Sequence, residues 1–197
     1  MRKNTRGKPK YGLRIKDYEH GILDIDYAYQ SDRKTAKAYK IWQAMFRRLK
    51  KRVEYNDCCI SEEWHYFSNF LKWFNENYIN GYHLDKDVLK KGNRCYCSEY
   101  CSFIPPEINS LLTNRKNHRN ALVGTVKTKS GKYQAHVNKK GISFFLGTFD
   151  TQQNAFNAYK TAKEAHIKQV AQEYYDAGKI TKRVYDALMK YEVEITD

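Results

Sequence analysis

The sequence predicts an α+β fold built as two units. Two observations carry the prediction. From Ser31 to Phe74 apolar residues recur at helical spacing, while from Ala121 to Asp150 short runs alternate with period two and are punctuated by glycine. Between them the chain is polar and irregular, which places a boundary there. A length of 197 residues suits two small units, each with a modest core of its own. We divide the chain into a basic arm and lead-in (1–30), a first unit (31–114), a second unit (115–176) and a terminal helix (177–197).

The arm, "MRKNTRGKPKYGLRIK", holds no acid in its sixteen residues, and Gly7 and Pro9 break any helix. From Ser31 a helix is predicted with Trp42, Met45, Phe46, Leu49 and Val53 on one face and Lys40, Arg47 and Lys51 opposite. A second helix is predicted after Ser61, its N-cap, with Glu62 and Glu63 in the first turn and Trp64, Phe67, Phe70, Leu71 and Phe74 buried. Aromatics at this spacing read as core. Gly81 ends the unit's helical part. "FIPPEINSLLTN" predicts a short strand through Phe103 and Ile104 and then a helix opening at Pro105 or Pro106. "TNRKNHRN" is the expected linker, near residue 115.

Beyond it, "ALVGTVKTK", "KYQAHVNKK" and "ISFFLGTFD" predict a three-stranded antiparallel meander with turns at Ser130-Gly131 and at Gly141. A long helix follows, capped by Thr151, with Ala155, Ala158, Ala162 and Ala165 on the face expected against the sheet. The last helix, from Thr181 to about Tyr191, is expected to pack through Val184 and Leu188.

Charge narrows the partner. The chain carries 36 Lys plus Arg against 22 Asp plus Glu, a net +14, which favours a polyanion through counterion release. No stretch approaches the roughly 20 apolar residues of a membrane span, and none looks like a signal peptide. We therefore expect a cytoplasmic protein, monomeric, with double-stranded DNA as partner and no membrane. Five cysteines are then expected as reduced thiols.

One stretch, "HLDKDVLKKGNRCYCSEYC" from His83 to Cys101, resists the helix-and-strand reading. Three readings compete: a zinc site on the thiols, a divalent-metal site on the carboxylates, or a loop whose polar residues only make turns. Cys95, Cys97 and Cys101 lack the paired C-x2-C spacing of common structural sites, so zinc is disfavoured. Oxygen ligands would favour Mg or Mn.

In the second unit no acid occurs between Glu107 and Asp150, whereas Arg115, Lys116, Arg119, Lys127, Lys129, Lys132, Lys139 and Lys140 all do. If Ala135 and Val137 face the helix, then Gln134, His136 and Asn138 face outward, on a sheet narrow enough for the major groove. The lysines of the turns would hold phosphates. "GKYQAHV", "FLGTFDT" and "AFNAYKTA" give residues 120–176 a resemblance to the AP2 DNA-binding domain. Carried over by position, the resemblance implies groove-facing Val126, Thr128, His136, Asn138, Ser143 and Phe145. Where plant members carry arginines this chain has Val126, Thr128, Asn138 and Ser143, so its base preference should differ.

The first unit resembles HNH endonucleases of the phage and intron homing type, including those in which an HNH-like unit precedes an AP2 domain. "YKIWQAMFRRL", "YNDCCISEEWHYFSNFLKWF" and the pattern LDKD, GN, Y, SE, C, F carry this resemblance from about Tyr39 to Asn114. It implies a ββα-metal site with Asp85 as metal ligand or base, where the catalytic histidine often stands, and Asn109 as the helix-borne ligand. His83, two residues earlier on the same side of a strand, and Asp87 would support the chemistry. Asn93 in "KKGN" and Tyr100, in the place of the middle Asn, would hold the loop. The implied activity is metal-dependent nicking of DNA by phosphodiester hydrolysis. The alternative is a catalytically inactive DNA-binding protein that keeps the fold, and a third reading has RNA or a protein as target.

Overall fold

The computed structural model describes residues 21–25, 32–113 and 122–195. The basic arm, most of the expected linker, and with it Arg115 and Arg119 lie outside the described residues. The described chain is mixed helix and sheet, an α+β fold, and divides into two compact units, Met1–Phe103 and Ile104–Asp197.

In the first unit α1 (Arg33–Lys51) begins at Asp32, whose carboxylate accepts the backbone N–H groups of Lys34 and Thr35. Arg48, Lys50 and Lys51 in its last turn complement the helix dipole. Its buried face is Ala38, Trp42, Met45 and Phe46. Val53, expected to extend that face, does not: Arg52 adopts an extended conformation, and Val53 enters a separate 3-10 turn, 81% exposed.

After β1 (Cys59–Ile60), the one predicted helix arrives as two, α2 (Glu62–His65) and α3 (Phe67–Asn77). The interruption at Tyr66 has a visible cause. Ile22 bridges to Tyr66, donating its N–H to the His65 carbonyl at 2.6 Å and accepting the Phe67 N–H at 2.9 Å, so an earlier segment takes backbone groups that a continuous helix would use. Ser61 precedes α2 without capping it through its side chain. The start of α3 is instead satisfied by Asp24, which accepts the Ser68 backbone N–H at 2.8 Å and the Ser68 hydroxyl. Gly21 makes this docking possible, since a Cβ there would stand 2.2 Å from the Trp42 ring.

The core beneath is aromatic. Trp64, Phe67, Phe70 and Phe74 are fully buried, and the Trp42 indole N–H donates to the Trp64 carbonyl at 2.7 Å. Each such side chain contributes about 1.5–3 kcal/mol by leaving water. The strands are short. β2 (His83–Asp85) pairs with β4 (Ser102–Ile104), and β3 (Cys95–Tyr96) runs parallel to β1. Ladders of two or three residues hold little by themselves, so side chains must fix the loop between β2 and β3.

In the second unit α4 (Pro106–Leu112) opens with proline in its first turn and buries Ile108. β5 (Thr125–Lys127), β6 (Tyr133–Lys139) and β7 (Ile142–Phe149) form an antiparallel sheet in chain order. Lys140 and Gly141 both take positive φ, the backbone that joins adjacent strands through a two-residue turn. α5 (Gln152–Asp176) follows Thr151, whose hydroxyl accepts the Asn154 N–H. It packs Ala155, Phe156 and Tyr159 against Ala135 and Val137.

The alanine stripe only partly defines that contact. Ala155 is buried and Ala158 and Ala162 are half-buried, but Ala165 is exposed, because the buried face continues through the larger Lys163, His166, Ile167 and Val170. Close approach comes from the sheet side, at Gly124, where a Cβ would lie 2.1 Å from the Tyr159 ring. α6 (Lys182–Met189), capped by Thr181, buries Val184 and Leu188. No helix among the described residues is long and apolar enough to cross a membrane.

Candidate functional site

Two regions carry the candidate residues, a loop in the first unit and a sheet face in the second. In the first unit, Asp85 ends β2 and turns the chain. Its Oδ1 accepts the backbone N–H groups of Asp87 and Val88, both at 2.7 Å. Burial pushes the Asp85 carboxyl above its ordinary value, against the pull of those two N–H groups. Asp87 gives both oxygens to the Lys86 ammonium at 2.7 Å each. That ammonium, on a residue only 8% exposed, also donates to the Asn93 carbonyl at 2.8 Å. His83, at the other end of β2, is exposed.

Asn93 closes the loop. Its amide donates to the carbonyls of Lys86 and Cys95 at 2.8 and 2.7 Å, and its Oδ1 accepts the Cys95 N–H at 3.2 Å. Tyr100 contributes through its ring, over which the Lys90 ammonium stands 4.6 Å from the centroid. Asn109 belongs to the second unit, half-buried on α4, and its carbonyl accepts the Thr113 N–H and hydroxyl.

The thiols meet where the sequence reading had no partner for them. The parallel pairing of β1 and β3 sets Cys59 opposite Cys95. Burial, with hydrogen-bonding contacts to the Cys59 and Cys97 thiols, pushes Cys95 up to about 12. Burial likewise pushes the Cys101 thiol up. Among the described residues no group of three His, Cys, Asp or Glu side chains is arranged to hold a metal ion.

In the second unit, burial of Thr125, Ala135 and Val137 fixes which face of the sheet meets α5. Alternation then sets Val126, His136, Asn138, Ser143 and Phe145 on the outer face. Val126 is 45% and Phe145 58% exposed, and the Phe145 ring lies 5.4 Å from that of His136. A register shift between Ala135 and His136 brings Phe145 opposite His136.

The polar members of the face are partly committed. The Thr128 hydroxyl donates to the Lys132 carbonyl at 3.0 Å and meets the Ser130 hydroxyl at 2.9 Å, while Asn138 Oδ1 accepts the Gly141 N–H at 2.9 Å. Lys129, Lys132 and Lys140 are exposed in the turns, with Lys132 paired to Asp150 at 3.0 Å. Lys139 falls on the α5 side by alternation. There its charge, after burial, helps to hold the His166 imidazole below its ordinary value.

Sequence reasoning missed Lys86 and Cys59. Lys86, between two aspartates, has no role in the sequence reading, yet it is a deeply buried lysine held by three acceptors. Cys59 is brought to Cys95 by a strand pairing across 36 residues, which no spacing reveals. No family model, no curated protein and no solved structure matches the chain.

Proposed function

We propose that the chain binds duplex DNA through the outer face of the β5–β7 sheet and nicks it through the first unit with a divalent metal ion held by Asp85. One observation carries the binding: an outer face of exposed Val126, Asn138, Ser143 and Phe145 with half-buried His136 among them, rimmed by Lys129, Lys132 and Lys140. The cationic charge in excess of the Asp150 carboxylate paired with Lys132 attracts phosphates while the strands reach the base edges. Affinity should therefore fall steeply as salt rises.

Support for the nicking comes from the element order and from Asp85. The chain runs β2, β3, β4, and β2 pairs with β4 across the loop, the paired strands that a ββα-metal unit requires. Of the two loop aspartates, Asp87 is ion-paired through both oxygens, whereas Asp85 accepts the Asp87 and Val88 N–H groups through Oδ1. A carboxylate oxygen suits Mg or Mn, and such an ion would supply charge stabilisation at the scissile phosphate. The role of Asn109 rests on the resemblance alone.

A second reading, an inactive unit that keeps the fold, is favoured by Asp85 already serving as a turn former. Plasmid nicking with Mg or Mn separates the two. The nuclease reading expects wild type to convert supercoiled plasmid to open circles and Asp85→Asn, which keeps the turn's acceptor oxygen, to lose that activity. Equal inertness of both on DNA that they bind leaves the binding protein.

A further inference from the structure

The outer face of the sheet keeps its cations at the rim, where Lys129, Lys132 and Lys140 lie in the turns. No arginine occurs from residue 120 to residue 182, so no strand of the sheet can offer the bidentate guanidinium contact to guanine O6 and N7. The hydroxyl of Thr128 and the carbonyl oxygen of Asn138 are taken up by the adjoining turns. Beside the polar His136 and Ser143, the face presents two large apolar side chains. Phe145 and Val126 stand 58% and 45% exposed, and the Phe145 ring is tilted 52° against His136.

Exposed apolar groups on a cationic surface gain free energy only if an anionic partner brings apolar matter to them. A duplex does so at one place in its major groove, the 5-methyl group of thymine. The occupant follows from charge: from residue 108 to residue 149 there is no acidic residue.

Resting on the DNA-binding reading above, we propose that this face reads thymine through its methyl group, with Phe145 and Val126 as the specificity-determining contacts and His136 as the side chain that positions the Phe145 ring. The target site then contains A·T pairs where those residues touch, and the lysines of the turns add affinity without preference. Phe145→Ala removes a preference; loss of Lys129 weakens all duplexes alike.

The test begins by selecting bound duplexes from a random pool with the full chain. Thymine is then replaced by deoxyuridine, one position at a time, in the selected site. Removing one buried methyl should weaken wild-type binding about fourfold at one or two positions. Phe145→Ala should bind both duplexes with equal, lower affinity, a loss of discrimination that a merely structural role would not produce. Restoring the methyl as 5-methylcytosine opposite guanine at the same position should recover part of the loss.

Wild type that binds thymine and deoxyuridine duplexes equally, or a pool that yields no enriched sequence, overturns the inference while salt-dependent duplex binding keeps the broader reading. Absence of duplex binding at low salt overturns both.

Discussion

The two units solve the same problem in opposite ways. The first puts its aromatics inside, with Trp64, Phe67, Phe70 and Phe74 fully buried, and has strands of only two or three residues. Its loop is therefore held by the side chains of Asp85, Lys86 and Asn93. The second holds its shape by strands of up to eight residues under a helix of 25, and leaves Phe145 and Val126 in water. A polar candidate residue in the first unit is thus bound into the structure, so its loss confounds stability with function. The apolar candidates on the second unit's sheet, Phe145 and Val126, are not.

This difference can be broken at its strongest point. Phe70→Ala removes a fully buried ring that meets Trp64 edge-on with centroids 5.0 Å apart, and should cost about 4 kcal/mol in urea denaturation. Asn93→Ala comes next, at about 3 kcal/mol, because it leaves the Lys86 and Cys95 carbonyls and the Cys95 N–H without their partner. A loss below about 1 kcal/mol would show that the loop is held by other means, and would bring the two units closer in kind.

The same contrast decides what could be read from sequence. Helical periodicity located Trp42, Phe67, Phe70 and Phe74, and period-two alternation located Ala135 and Val137, because burial of one face imposes a repeat on the residues themselves. Contacts between distant segments left no repeat. Ile22 splitting the predicted helix at Tyr66, Asp24 capping α3 and Cys59 lying beside Cys95 all depend on which segments meet in space. In the candidate loop Asp85, Asp87 and Asn93 stood out by type, but their partners did not. That Asp87 would be occupied by the buried Lys86 is a matter of packing, invisible in "LDKD".

A finer test uses charge. Asp85 has its carboxyl held above the ordinary value by burial, so its contribution to stability is present below that value and is lost as pH rises through the folded one. Asp85→Asn keeps an acceptor for the Asp87 and Val88 N–H groups and carries no charge. The variant should match wild type within about 1 kcal/mol near pH 4 and gain on it as pH approaches 7, by the sign of that shift. A variant that loses ground with rising pH would mean that the buried carboxylate is better compensated than its surroundings suggest. Bound Mg or Mn should reverse the trend, since a cation favours the ionised form.

The smallest expected change in stability carries the most information about function. Phe145 lies 58% exposed on the outer face, and its ring meets that of His136 on that same face, away from the Ala135 and Val137 core. Replacing it by alanine forfeits little buried area, so the unfolding free energy should stay within about 0.5 kcal/mol of wild type. A strand pairing opposite Phe145 is made by backbone groups, which the substitution leaves in place. If unfolding shifted by as much as it does for Phe70→Ala, Phe145 would be a core residue and the sheet's outer face would have no side chain to spare for a partner. An unchanged unfolding transition together with altered duplex preference would place the residue's selective value in what it touches outside the chain.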